Sequence, residues 1–186
     1  MKGEEHIKKR MPWLAKGAVD WLENNLTKDF KILEFGSGGS TLFFAERCKE
    51  VITIENNKKF YDLILDYINK NKISNITISF IGKGSKLFYE EKEYDKIINN
   101  YPDNYFDLIL IDPNGIDRNR IVETAIRKLK PDGYLVLDNY EWFLENPETR
   151  WHTPSFFGKD FKGWKASIFD DKDKKGKGTV ILKKSR

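Results

Sequence analysis

Short apolar runs alternate along the chain with stretches in which apolar residues recur every three or four positions. Residues 30–35, 51–55, 76–81, 106–112 and 134–137 read as five strands. The run over 106–112 is apolar at successive positions, as a central strand covered on both faces requires. Helical spacing marks 12–22, with Leu14, Ala18, Trp21 and Leu22 on one side and Pro12 in a first turn. It recurs over 41–50, over 58–69 with Phe60, Leu63, Ile64 and Tyr67 as its apolar face, and over 118–129. Lys130-Pro131-Asp132-Gly133 is expected to stop that last helix. The segment 86–104 is less regular, although Leu87, Phe88, Tyr94, Ile97 and Ile98 suit a helix. Near the end, 165–169 and 179–182 flank a lysine- and glycine-rich turn and read as a β-hairpin. Strands that alternate with helices imply right-handed crossovers and parallel pairing. The expected fold is therefore α/β: a Rossmann-like doubly wound, mostly parallel seven-stranded sheet with a C-terminal antiparallel hairpin. It is expected as one domain over 1–186, with an N-terminal helical segment to residue 28 and an aromatic substrate-side loop over 140–162.

Composition narrows this picture only modestly. Of 186 residues, 39% are apolar, enough for a core, and 33% are charged, so the surface is well solvated. The net charge of +4 is mild, and many of the lysines lie in the turn 171–178 and the tail 183–186. Nucleic acid is not required as a partner by this balance. Cys48 is the single cysteine, so no internal disulfide forms; it is expected as a small core residue in a reducing compartment. Residues 1–10 are dense in charge, unlike a secretory leader, and no apolar run is long enough to span a bilayer. A cytoplasmic protein without membrane association is the expectation.

Candidate chemistry concentrates at the carboxyl ends of the predicted strands, where open α/β sheets bind ligands. The first strand runs through Glu34-Phe35 into the turn Gly36-Ser37-Gly38-Gly39-Ser40-Thr41. Glycines let the backbone turn sharply and approach a ligand, and the following helix offers unpaired N–H groups. The dinucleotide fingerprint wants a third glycine where Thr41 stands, and an acid such as Glu34 beside the turn repels a pyrophosphate but suits a cationic amino acid. The pattern resembles the first motif of class I S-adenosylmethionine-dependent methyltransferases, E/D-x-G-x-G-x. The longer stretch from Glu34 to Ala45 is similar to a small-molecule O-methyltransferase-like branch, in which G-S-G-x-S-T precedes an aromatic residue and alanine. A parallel sheet closed by an antiparallel hairpin also resembles that family. The resemblance runs from about Pro12 to the final hairpin.

The resemblance implies S-adenosyl-L-methionine as cofactor and a set of residues to hold it: Glu34, Phe35, Gly36, Ser37, Gly38, Ser40, Thr41, Glu55, Asn56, Gly84, Ser85 and Asp112. Glu55 ends the second strand and matches the acid that accepts hydrogen bonds from the ribose hydroxyls; the alternative is a surface acid capping the next helix. Gly82 to Ser85 lie where the family contacts adenine, with Lys83 in place of the acid common there. Ser40 and Thr41 serve either as helix caps or as contacts to the carboxylate of the cofactor.

The same ends suggest catalytic groups. Asp112 and Asp138 are candidate catalytic residues, and Asp112, Asp138 and Asn139 together are hard oxygen ligands suited to Mg²⁺. Metal-dependent catechol-type O-methyltransferases use this combination, but their lysine three positions on is Gly115 here. The alternative is that Asp112 shapes the cofactor pocket and Asp138-Asn139 makes a turn. Asp112-Pro113-Asn114 partly resembles the D-P-P-Y motif of amino methyltransferases, with Asn114 and Gly115 replacing the second proline and the aromatic residue. Arg118 and Arg120 either bind an acidic substrate group or are merely solvated. Tyr140, Trp142, Phe143, Trp151, His152, Phe156, Phe157 and Phe161 crowd the 140–162 segment as a lid, as packing over the sheet end or as a dimer contact. The function this implies is methyl transfer to a small-molecule acceptor at a hydroxyl oxygen. A non-catalytic cofactor-binding or assembly domain and a nucleic-acid methyltransferase are the rivals, and a homodimer remains open.

Overall fold

A computed structural model describes residues 2–82, 87–114, 118–140, 161, 163–170 and 178–185. Seven strands form one sheet: β1 (Lys31–Phe35), β2 (Glu50–Glu55), β3 (Ile76–Phe80), β4 (Phe106–Ile111), β5 (Leu129–Asp138), β6 (Lys165–Phe169) and β7 (Thr179–Lys183). Their order is β3-β2-β1-β4-β5-β7-β6. The pairs from β3 to β5 are parallel, and β7 is antiparallel to both β5 and β6. The sheet is thus the mostly parallel one expected, closed by the expected hairpin.

Side chains alternate across each strand and supply two cores. Leu33, Phe35, Ile109, Ile111, Leu135 and Leu137 pack on one face. Ile32, Leu108, Leu110 and Val136 pack on the other. Helices α5 (Leu87–Ile98) and α6 (Arg118–Ala125) cover the first face through Tyr94, Ile98, Ile121, Val122 and Ala125. Helices α2 (Lys16–Asn25) and α3 (Gly39–Arg47) cover the second through Ala18, Leu22, Phe43 and Phe44. Helix α4 (Lys58–Asn71) lies beside α3; its start is capped by the Asn57 side chain, which accepts from Lys59 N at 3.0 Å. Cys48 is buried, and burial pushes its thiol up to about 12, the state of a protonated core residue. Among the described residues no helix is long and apolar enough to cross a membrane.

Three departures from the sequence reading have physical causes. A helix α1 (Lys2–Lys9) precedes the expected one, and α2 starts at Lys16, so Pro12 sits in the link between them. Exposed ion pairs such as Lys9–Glu5 add little. What docks α1 is Ile7, buried against Leu42, Ile64 and Ile68, and burying such a side chain contributes about 2 kcal/mol. The helix expected to reach residue 129 ends at Ala125 and tightens into a 3₁₀ turn, Ile126–Lys128. Lys128 is buried there, its Nζ held by Tyr101 O and Asp103 Oδ1, both at 2.7 Å. Finally, Lys130–Gly133 does not separate helix from strand but sits inside β5. Phe106 pairs with Leu129 and Leu108 with Tyr134, so two steps along β4 face five along β5. The turn residues make that irregularity, with Asp132 at φ 61°.

Candidate functional site

The β1–α3 turn is held to the ends of β2 and β4 by main-chain contacts. Gly36 N donates to Ile54 O and Asp112 N to Phe35 O, each at 2.9 Å. Gly36 has φ +91°, and a Cβ there would lie 2.3 Å from Asp112 O. Two residues on, nothing lies within 4 Å of where a Gly38 Cβ would sit. Gly39 faces the link after α1, where a Cβ would meet Met11 O at 2.2 Å and His6 O at 2.5 Å. The glycines thus let the turn meet β4 on one side and the N-terminal segment on the other.

Two carboxylates organise this turn from behind. Glu34 is fully buried, and the hydroxyls of Ser40 and Thr41 both donate to it, Thr41 at 2.6 Å. Thr41 Oγ1 in turn accepts from Gly38 N at 2.9 Å, closing the first turn of α3. Glu34 therefore joins β1 to α3, and it does not line the cavity. Glu55 is also buried, which does not fit the alternative of a surface acid. Its Oε2 accepts from Ser37 N at 2.5 Å and Ser37 Oγ at 2.8 Å, and its Oε1 from Asn56 N at 2.9 Å and Asn57 N at 2.6 Å.

Burial raises the Glu34 carboxyl to about 7, against the pull of the Ser40 and Thr41 hydroxyls. The folded protein then keeps a proton that the unfolded chain releases near 4.5. Its contribution to stability falls as pH rises from about 4.5 to about 7 and is flat above, a change of about 3 kcal/mol. Glu34→Gln, which cannot ionise, is expected to lose this component. Urea midpoints at pH 5.5 and 8 should converge in the variant relative to the wild type, and equal pH slopes would overturn the assignment.

A cavity of about 300 Å³ opens at this edge of the sheet, a volume in the range of small-molecule sites. Of the expected residues, it brings together Gly36, Ser37, Gly38, Ser40, Glu55, Asp112, Asp138 and Asn139. Phe35 and Thr41 are buried behind it. Asn56 is buried beside it, its Nδ2 bridging to Asn114 O at 2.7 Å. Gly84, Ser85, Lys83, Gly115, Trp142, Phe143, Trp151, His152, Phe156 and Phe157 lie outside the described residues. The sequence reading did not anticipate Gly3, His6, Trp13, Leu14, Asn57 and Phe60 as further lining. The ring of His6 stacks on Trp13 at 5.3 Å and 11°, and Trp13 keeps 41% of its surface exposed. The aromatic residues and histidine around a predicted helix start were the available signal.

At the far wall Asp112, Asp138 and Arg118 meet. Arg118 Nη2 donates to Asp112 Oδ1 at 2.9 Å, and Thr179 Oγ1 donates to Asp138 Oδ1 at 2.8 Å. Removal from bulk water raises both carboxyls. Arg118 opposes the shift at Asp112, and repulsion from Asp112 adds to it at Asp138. Asp112 keeps 34% of its side chain exposed, facing the cavity rather than open solvent. The three expected Mg²⁺ ligands make a poor donor set: a guanidinium already occupies Asp112, and Asp138 is engaged by a hydroxyl. Among the described residues no group of three histidine, cysteine or acidic side chains is placed to hold a metal ion.

The strand order, the terminal hairpin and the glycine turn at the head of α3 define the fold of class I S-adenosylmethionine-dependent methyltransferases. No protein-family description matches this chain, and no curated protein does. Solved structures do. The O-methyltransferase from Bacillus cereus in complex with S-adenosylhomocysteine superposes with a TM-score of 0.69 at 17% identity, over 98% of this chain and 90% of that one. An rRNA methylase from Streptococcus thermophilus gives 0.64 at 14%, over 90% and 93%. TYW2 from M. jannaschii in complex with AdoMet gives 0.55 at 12%, over 92% and 77%.

Proposed function

We propose that this chain transfers a methyl group from S-adenosyl-L-methionine to a hydroxyl oxygen of a small-molecule acceptor. The observation that carries the reading is one cavity at the carboxyl edge of the sheet, walled by the Gly36–Ser40 turn on one side and Glu55 on another. The residues suit the cofactor. The turn leaves open space at Gly38, and Glu55 lines the same cavity, where its carboxylate would accept from a ribose hydroxyl. All four acceptor positions of Glu55 are engaged, three by main-chain N–H groups and one by the Ser37 hydroxyl. For Glu55 to hold a ribose hydroxyl, the Ser37 hydroxyl, the one donor able to rotate away, would have to yield its place. The bound cofactor supplies an electrophilic methyl group, and the task of the chain is to align the acceptor and hold its proton balance. A buried, free Cys48 fits the reducing, cytoplasmic setting of this reading.

Calorimetric titration with S-adenosylhomocysteine, with NAD as the control, tests it. Saturable binding of the first alone, unchanged by Mg²⁺, is the expected result. No binding by folded protein would overturn it. Binding without turnover of any acceptor would favour an assembly module. Salt-sensitive binding of RNA would favour a nucleic-acid methyltransferase, since two structural neighbours are named as rRNA methylases.

A further inference from the structure

S-adenosylmethionine ends in an amino acid, so a site for it must receive a carboxylate as well as an ammonium group. Most of the cavity wall is unsuited to the carboxylate. Glu55, Asp112 and Asp138 line it, and like charges repel. Arg118 lines it too, but its guanidinium is spent on Asp112 Oδ1 at 2.9 Å, Asp138 O at 2.6 Å and Pro113 O at 3.2 Å. The glycine turn has committed much of its own donor set. Gly36 N donates to Ile54 O, Ser37 N to Glu55 Oε2 and Gly38 N to Thr41 Oγ1. The hydroxyls of Ser40 and Thr41, expected in the sequence either as caps or as carboxylate contacts, both turn inward to Glu34. The head of α3 keeps its dipole, which favours an anion without adding a side-chain donor.

Helix α1 brings such a donor to this place. His6 lines the cavity together with Gly38, Gly39 and Ser40. Its main chain rests on the first residue of α3, since a Cβ on Gly39 would lie 2.5 Å from His6 O. The next residue, Ile7, anchors the helix by its burial against Leu42, Ile64 and Ile68. The imidazole stacks on Trp13 at 5.3 Å and 11°, a contact that steadies the plane of the ring and leaves its nitrogens at the edge of the stack. His6 and Arg118 are the basic groups among the described residues of the wall.

We infer that the His6 imidazole is the side-chain donor for the carboxylate of the cofactor, and that α1 thereby forms part of the cofactor site. This rests on the methyl-transfer reading and adds to it a residue from outside the sheet edge. An imidazole donates N–H to a carboxylate in either protonation state, and more strongly as the cation. The acids on the far side of the cavity and the donor on the α1 side then fix which way round the amino-acid end lies. Trp13 acts through His6 as a positioning residue.

The test compares two ligands by calorimetry: S-adenosylhomocysteine, and its decarboxylated analogue, which keeps the adenosine, the sulfur and the amine. Wild type is expected to prefer the first by about tenfold or more. His6→Ala should lower the affinity for S-adenosylhomocysteine by about tenfold and leave that for the analogue within about twofold. His6→Gln, which retains an N–H donor, should keep part of the preference. Nitrogen NMR reads the same contact in the unaltered protein: the His6 imidazole should respond to S-adenosylhomocysteine and not to the analogue. Equal losses for both ligands in His6→Ala would make His6 a support of α1 alone and overturn the inference. An unchanged preference in His6→Ala, no preference in wild type, or a silent His6 resonance overturns it as well. The wild-type measurements stand if a variant does not fold. Absence of S-adenosylhomocysteine binding by folded wild type would instead overturn the methyl-transfer reading, and this inference with it.

Discussion

Gly36→Ala is expected to lower stability by about 2–5 kcal/mol and to abolish measurable binding of S-adenosylhomocysteine. Two penalties combine. The backbone at φ +91° is one that a side chain rarely adopts, and the added methyl group would lie 2.3 Å from Asp112 O, which is main chain and cannot swing aside. Relief requires the turn and the end of β4 to separate, and that separation dismantles the cavity between them. Gly38→Ala is the matched control. Gly38 has an extended φ of 175° and open space at the Cβ position. Its stability is expected to stay within about 0.5 kcal/mol of wild type, while ligand binding weakens because the methyl group enters the cavity. Denaturant unfolding and calorimetry on both variants check the pair. A Gly36→Ala protein with wild-type stability would show that the turn is not held as described.

Glu55→Ala carries the second large effect: a stability loss of about 2–4 kcal/mol together with a fall of about a hundredfold or more in affinity for S-adenosylhomocysteine. The carboxylate is the acceptor for three main-chain N–H groups, and its removal strands buried donors in Ser37 and Asn56. Leaving a buried donor unsatisfied costs more than the net value of the bond. The milder Glu55→Gln keeps the shape, but turns an amide NH₂ toward donors. Ribose recognition can be separated from this structural role with a ligand that lacks the ribose 2′ hydroxyl. Wild type should prefer the complete ligand, whereas Glu55→Gln should bind both about equally, measured at a temperature where the variant is folded. An undiminished preference in Glu55→Gln would leave Glu55 as a clamp on the turn alone.

The strands and the hairpin were legible because a short apolar run bounded by turn residues is a local signal. Phe106 to Ile111 could be read as central without knowing its neighbours. The strand-end acids were legible for a topological reason, since parallel strands deliver their carboxyl ends to one edge. What each acid touches was not legible. Glu34 and Glu55 both lie near the ends of apolar strands, yet one faces the Ser40 and Thr41 hydroxyls and the other faces main-chain N–H groups at the cavity. That difference follows from position along the strands and not from the face: Glu34 pairs with Thr53 beneath the first turn of α3, whereas Glu55 lies two residues further along the same face, at the end of β2. α1 was missed because its apolar face amounts to Ile7, and its docking depends on partners in α3 and α4. The Lys130–Gly133 irregularity was misread as a stop, because turn residues signal a local bend whether or not the strand continues through it. Arg118 was open to two readings because its burial depends on the main-chain oxygens of Pro113 and Asp138.

β7, second last in space and last in sequence, lies between β5 and β6, and its Thr179 also accepts from Ala15 N, 164 residues away. During synthesis the parallel part of the sheet can therefore pair before the wall of the cavity at Asp138 receives its hydroxyl. Until β7 leaves the ribosome, β5 presents an open, strongly apolar edge, the kind of edge that recruits foreign strands. Nascent chains stopped before residue 179 should thus be the aggregation-prone species of this protein, and a chaperone would find its work there rather than at the glycine turn.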